Sequence, residues 1–305
     1  MSAFKWFASF VLAATIVPAL PAEPHCPGNV ASVPLRLING HPMIVAVSVN
    51  HSGPYNFLLD TGTQMTMVDP TLAAELHLNT QGSAEVTGVG FLASAPFAQL
   101  DLLEVGSHSV ANQKVLVFDF QNSHSVDLHL FRGVLGEDFL GEFDMLIDNA
   151  HHLLCLDDSS AMAADVKGPH IALVAPARAT NAIPTLRSLI IAARLSDGMR
   201  PVRLKLDSGS NTPFLYGPSQ YLAIGLSRGA SWHGREADGT QRAFVALPLQ
   251  DVKIGPLELS KVSFLTLAGV QKDPRASNFD GLLTTGLFKR ILICHTDHFV
   301  VLDPR

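Results

Sequence analysis

The chain has 305 residues, room for about two domains, with 47% apolar and 16% charged residues and a mean hydropathy of +0.25. That composition excludes intrinsic disorder and supplies a large core. Lys and Arg number 21 against 27 Asp and Glu, a net charge of −6 with no long basic run, so the polyelectrolyte attraction that nucleic-acid binding requires is missing.

The N-terminus places Lys5 before an uncharged run from Trp6 to Leu20 and a small-residue exit at Pro21-Ala22, the order of parts in a secretory signal peptide over residues 1–22. The run is too short to cross a bilayer comfortably, and Glu23-Pro24-His25 before Cys26 is not a lipobox. The mature protein is therefore expected to be exported, periplasmic or secreted, without stable membrane insertion once the signal is cleaved. Cys26, Cys155 and Cys294 form no CxxC pair; an oxidising compartment permits one disulfide among them, with the pairing left open.

Beyond residue 30, short apolar runs punctuated by Gly and Pro predict an all-β fold. The first clear strand is Met43 to Val49, followed by the turn signal Asn50-His51-Ser52-Gly53-Pro54 and a return through Tyr55 to Leu59. A helix is predicted after Asp69, with Asp69 as cap and Pro70 in the first position, continuing through Leu78.

The hairpin recurs. Ser188 to Leu195, the turn Ser196-Asp197-Gly198 and the return Pro201 to Leu206 repeat its pattern, and each returning strand runs into a similar tetrapeptide, Asp60-Thr61-Gly62-Thr63 and Asp207-Ser208-Gly209-Ser210, separated by 207 − 60 = 147 residues. Downstream, Gly133-Val134-Leu135-Gly136 is echoed by Gly281-Leu282-Leu283-Thr284. Met145 to Asp157 is echoed by Ile291 to Asp303. Order, spacing and chemistry agree, so the chain reads as a duplicated β lobe, 30–158 and 180–305, with 159–179 as the connection.

These paired motifs resemble the pepsin and retropepsin-like aspartic proteases, with both lobes in one chain. A lone Asp-Thr-Gly marks little more than a turn. Two of them, each ending a strand and each followed at a similar distance by Gly and an aliphatic pair, are specific. The resemblance implies two pseudo-symmetric β-barrel lobes with an active-site cleft between them and hydrolysis of peptide bonds in a peptide or protein substrate by a monomer.

The chemistry accounts for the duplication. If Asp60 and Asp207 meet on a pseudo-dyad, two adjacent carboxylates cannot both hold full charge and share one proton. One acts as base toward a water lodged between them, the other as acid toward the scissile carbonyl, and no metal or cofactor is required. Gly62 and Gly209 let the backbone turn beside each carboxylate and offer it amide donors. The resemblance further implies that the hydroxyls of Thr61 and Ser208 bond across to the opposite lobe, and that Thr63 and Ser210 bond the outer carboxylate oxygens. Gly88-Val89-Gly90-Phe91 lies where the family carries a flap over the substrate. A more polar equivalent falls around Gly234 to Gly239. The first flap has no Tyr, which places the comparison nearer the retropepsin-like branch.

Two departures set a catalytically inactive, peptide-binding protein of the same fold beside the hydrolase. Thr284 stands where a Gly is expected and points to an altered loop behind Asp207. Lys205, two residues before Asp207 and on the same side of the strand, would favour ionised carboxylates; it is expected to snorkel to solvent or pair with an acidic residue.

Other motifs read as structure. Gly88-Val89-Gly90 opens no dinucleotide-binding helix. Gly225-Leu226-Ser227-Arg228-Gly229 lacks the strand before and the apolar helix after that a serine hydrolase elbow needs, and a short helix is predicted before it, Pro218 to Ala223. His151-His152 and His295-Thr296-Asp297-His298 fall in the matching closing hairpins and are expected to be solvent-facing turn residues, since no third zinc ligand is indicated.

Overall fold

The computed structural model describes residues 24–37, 43–89, 91–119, 130–157, 162, 166–174, 188–218, 222, 231–235, 241–269 and 279–305. The signal segment 1–22, the Ser227 loop and most of 159–179 lie outside them, as does most of the helix predicted over 218–223.

The molecule is all-β, built as two pseudo-symmetric lobes. Among the described residues the first lobe carries an eight-stranded sheet and the second a nine-stranded one. Met43–Val49 and Ser52–Leu59 pair antiparallel, with Ile44 opposite Leu58 and Val45 opposite Phe57. The hairpin turn is confined to Asn50 and His51, both left-handed with φ of 48° and 63°. It is tighter than the five-residue signal suggested, because the Asn50 side chain accepts from the amides of Asp101 (2.9 Å) and Leu102 (3.1 Å) and pins the turn to the neighbouring strand.

Each lobe then threads one strand between the arms of a loop. In the first, Gly133–Leu135 runs parallel to Ser52–Leu59 and antiparallel to Met67–Val68. In the second, Gly281–Thr284 runs parallel to Val202–Asp207 and antiparallel to Phe214–Leu215. The threading explains the glycine of the downstream motif. A Cβ on Gly133 would enter the Phe57 ring and the Met67 carbonyl, and one on Gly281 would strike the Phe214 carbonyl.

The helix after Asp69 forms but is shorter than predicted, Pro70–Glu75. Asp69 caps it through the Leu72 amide (2.6 Å), and the turn ends where His77 goes left-handed. Asp69 is wholly buried and Arg132 bridges it to Glu75 at 3.0 and 2.9 Å.

A six-stranded sheet joins the lobes. The hairpin Asp144–Asp148/Leu153–Asp157 meets the hairpin Phe288–Cys294/Phe299–Pro304 through antiparallel pairing of Met145 with Ile293, Leu146 with Leu292 and Ile147 with Ile291. The pseudo-dyad therefore passes between Leu146 and Leu292. Ile171–Ala172, inside the expected connection, adds an edge strand against Phe299–Pro304. Cys26 is disulfide-bonded to Cys155, tying the N-terminal turn to this sheet, and the buried Cys294 takes no part in a disulfide, its thiol lying 3.5 Å from Asp144 Oδ2.

Candidate active site at the lobe interface

Asp60 follows the buried strand end Leu59 and Asp207 is the last residue of its strand, after the buried Leu206, so the apolar cores of both lobes deliver the two carboxyls to the interface. The loops grip each other there. Thr61 donates its amide to Ser208 Oγ (3.0 Å) and its hydroxyl to the Leu206 carbonyl (3.0 Å). Ser208 donates its amide to Thr61 Oγ1 (3.1 Å) and its hydroxyl to the Leu59 carbonyl (2.7 Å). Both side chains are buried, so each of these bonds satisfies a group that would otherwise lie unpaired in the core.

The carboxylates sit in matching cradles. Asp60 Oδ1 accepts from the amides of Gly62 (2.8 Å) and Thr63 (3.1 Å). Asp207 Oδ1 accepts from Gly209 (2.8 Å) and Ser210 (3.0 Å). Neither glycine takes a positive φ, so conformational freedom is not what requires them. The requirement is space across the interface: a Cβ on Gly62 would lie 2.6 Å from Asp207 Cγ, and one on Gly209 would lie 2.6 Å from Asp60 Cγ. Each lobe leaves room for the other lobe's carboxyl.

The outer oxygens are treated differently. Thr63 donates its hydroxyl to Asp60 Oδ2 at 2.6 Å. Ser210 corrects the expectation: its hydroxyl turns away and donates to the Thr212 carbonyl at 2.8 Å. Without the methyl that orients Thr63, the serine rotor follows its own loop. Burial, then the negative charge of Asp60, pushes the Asp207 carboxyl up to about 8, against the pull of Lys205 and the Gly209 amide. A carboxyl held protonated beside one that accepts three hydrogen bonds is the asymmetry a shared-proton pair needs.

Thr284 aligns with Asp207 in the parallel pairing. Its hydroxyl donates to the Ser210 carbonyl (2.6 Å) and accepts from the Gly286 amide (3.2 Å), capping the 3₁₀ turn Thr285–Leu287. The first lobe achieves the same closure with other atoms. There the Gly136 amide donates to Thr66 Oγ1 (3.1 Å), whose hydroxyl donates to Asp138 Oδ1 (2.6 Å), and a Cβ at Gly136 would collide with Met65 and Thr66. The altered loop is a different cap with the same strand register.

Lys205 does not reach solvent. It is 4% exposed, its ammonium donates to the Gly62 carbonyl across the interface (2.5 Å), and it lies over the Phe279 ring at 5.7 Å from the centroid. Its partner is a carbonyl, with three carboxyls nearby, Asp207, Glu137 and Asp60. Burial lowers its pKa and those carboxyls oppose the drop.

Two further residues escaped the sequence reading. Glu137, in the short helix Glu137–Leu140, is buried and meets the equally buried His295 across the interface, Oε2 to Nε2 at 3.1 Å. His295 is thus not a solvent-facing turn residue. Its hairpin mates do stay outside: His151 is exposed and pairs with Asp148, and His152 and His298 occupy the left-handed turn positions. Only a 3.6-residue or two-residue period would have marked His295 as inward, and it lies just past a strand end where neither applies.

The hairpin Thr80–Gly88/Phe91–Val105 pairs Gly88 with Phe91 at its tip. Gly90 and the Phe91 side chain lie outside the described residues. Val89 packs on a second-lobe cluster of Phe214, Leu267 and Leu282, joined by Tyr216, Phe244 and Phe279. The hairpin tip therefore spans from the first lobe to the second. Its second-lobe equivalent pairs Ser231–Arg235 with Gln241–Ala246, and its tip, 236–240, lies outside the described residues. A cavity of about 210 Å³ adjoins the Asp207 loop, lined by Leu37 and Met43 from the first lobe and Ser210, Asn211, Thr284 and Arg305 from the second.

Among the described residues no group of three His, Cys, Asp or Glu side chains gathers as a metal site, and no helix is long and apolar enough to cross a membrane.

Residues 45–139 match the aspartyl protease family model. No curated protein matches the chain. Among solved structures, a retropepsin-like aspartic protease from Rickettsia conorii is similar at 21% identity, over 42% of this chain and 91% of that one, with a TM-score of 0.33. The resemblance to the aspartic proteases carried by the two tetrapeptides therefore holds, by sequence across the first lobe and by the same strand threading repeated in the second.

Proposed function

We propose that the protein is an exported aspartic endopeptidase that hydrolyses peptide bonds with a water activated between Asp60 and Asp207. The observation that carries this reading is the reciprocal cradle. Each carboxyl is held by amides of its own loop and faces a glycine of the other, so both point at one place on the pseudo-dyad.

In that place Asp60, which accepts three hydrogen bonds, serves as the charged partner and base. Asp207, which burial and Asp60 keep protonated, serves as the acid toward the scissile carbonyl. The base takes a proton from water, the hydroxide adds to the carbonyl carbon, and the acid protonates the carbonyl oxygen. A neutral diol results, which collapses with transfer of a proton to the leaving amine. The flap over Val89 would exclude bulk water during these steps. The interlobe disulfide-bearing sheet suits an oxidising compartment, in keeping with the N-terminal signal. Both halves of the site in one chain support a monomer.

A second reading, a peptide-binding protein that does not cleave, is favoured by the buried ammonium of Lys205 beside the pair. The test is incubation of an unfolded protein with the purified mature chain from about pH 3 to pH 8, with Asp60→Asn as control. Fragments that disappear in Asp60→Asn establish the dyad as the hydrolytic centre. Substrate retention without fragments at every pH establishes the binding protein instead.

A further inference from the structure

We infer that Lys205 is the counter-ion of the aspartate pair, a positioning residue from the second lobe that holds the pair in its singly protonated, singly charged state. The inference deepens the hydrolase reading and, for its pH profile, rests on it.

His295 sets the charge of its pair with Glu137. Its Nδ1 lies 2.6 Å from the Phe143 carbonyl, which can only accept, so Nδ1 carries a hydrogen. The opposite nitrogen, Nε2, is 3.1 Å from Glu137 Oε2, and one proton must lie in that contact. Either the imidazolium donates to a carboxylate or a carboxylic acid donates to neutral imidazole. Both arrangements sum to zero charge, so Glu137 and His295 together leave no net charge for Lys205 to balance. Asp144 also bears on His295 but is not among the carboxyls that act on Lys205.

The other carboxyls facing Lys205 are Asp60 and Asp207. With one proton between them they carry a single negative charge, which the ammonium cancels. With both protons lost, a buried charge would remain uncompensated, and with both retained the ammonium itself would. An uncompensated charge in a buried site costs several kcal/mol, so the singly protonated pair is the state the cluster selects. The contact with Gly62 does the placing: that carbonyl belongs to the loop holding Asp60, so one hydrogen bond from the second-lobe strand that carries Asp207 ties the cation to the loop of the other carboxyl. Leu58, the first-lobe counterpart, is apolar, and the pair needs only one cation.

The experiment compares wild type with Lys205→Met, which keeps the length of the stem and removes the charge. In peptide cleavage, loss of the cation makes both carboxyls harder to ionise, and the bell-shaped profile of kcat/KM moves to higher pH by about one unit or more. In parallel, the change in Tm caused by Lys205→Met is measured in the wild-type background and in one carrying both Asp60→Asn and Asp207→Asn. The counter-ion role predicts that the substitution is more favourable by several degrees where neither carboxyl remains to balance the ammonium. A profile that stays in place, with equal Tm changes in both backgrounds, overturns the inference. If wild type cleaves nothing, the hydrolase reading fails, and the thermal cycle alone decides the counter-ion, unequal changes upholding it and equal changes overturning it.

Discussion

The two lobes present the same backbone to the pseudo-dyad and different side chains immediately behind it. Asp60 and Asp207 have matching amide cradles, Thr61 and Ser208 exchange matching bonds, and Gly62 and Gly209 make the same allowance for the opposite carboxyl. One step outward the match ends. Thr63 binds Asp60 whereas Ser210 binds its own loop, Gly136 leans on Thr66 whereas Thr284 supplies its own hydroxyl, and the second-lobe counterpart of Leu58 is Lys205. Even the ion pairs reverse sign. In the first lobe a cation, Arg132, bonds the buried Asp69; at the corresponding place in the second lobe an anion, Asp280, accepts from Arg200. The comparison teaches that symmetry is retained where both halves touch one object and lost where each half need only support its own loop. A reaction that needs one acid and one base gains from that loss, because identical environments would leave the two carboxyls interchangeable.

The largest effect that tests this comparison is removal of either carboxyl. Asp60→Asn and Asp207→Asn each lower cleavage by about 10²–10⁴-fold or more, since the acid and the base are both required. Rates of fragment release check it, and a variant that keeps its rate breaks the assignment of that residue.

Gly62→Ala and Gly209→Ala probe the symmetric part. Each methyl meets the opposite carboxyl at 2.6 Å, backed by a buried loop that cannot retreat. Losses of about 1–3 kcal/mol in stability are expected, similar in the two variants, read by chemical denaturation. Strongly unequal losses would show that the two cradles are less alike than their distances.

Thr63→Val and Ser210→Ala probe the asymmetric part. The first removes a charge-assisted hydrogen bond to Asp60 and costs about 1.5–3 kcal/mol, with a marked loss of activity. The second removes a bond between neutral loop groups and costs about 0.5–1.5 kcal/mol, with little change in the pH profile. Equal effects on the profile would restore the symmetric picture.

The smallest and most diagnostic effect is on stability against pH. The Asp207 carboxyl has a higher pKa folded than unfolded, so its contribution is full below about 3.8 and is lost as pH rises through about 8. Asp207→Asn removes that loss. The Tm of the variant is therefore expected to rise relative to wild type across pH 4 to 8, by a few degrees, and to converge with it in acid, which calorimetry reads directly.

Much of this was legible in the residue string because duplication doubles every signal. Two strands ending in Asp-Thr/Ser-Gly and two glycine–aliphatic echoes pointed to both halves of the candidate site, and the predicted cap at Asp69 formed as a local hydrogen bond. Ser210 looked equivalent to Thr63 until its rotor turned to the Thr212 carbonyl, a choice within its own loop. Where the partner lies far along the chain the sequence misled or stayed silent: Lys205 looked bound for solvent until the interface closed over it, and the pairing of Cys26 with Cys155, left open by the sequence, spans 129 residues. Thr284 read as a disturbance, yet it caps a turn.

Composition, strand punctuation and the repeated tetrapeptide determined on their own that the protein is all-β and doubled, with Asp60 and Asp207 as its paired carboxyls. These are properties of local sequence, repeated at a measurable interval. Tertiary structure alone decided how the two carboxyls differ. The packing of Lys205 on Gly62 and of Glu137 on His295 joins residues 143 and 158 positions apart, across an interface where burial converts ordinary side chains into a balanced set of charges.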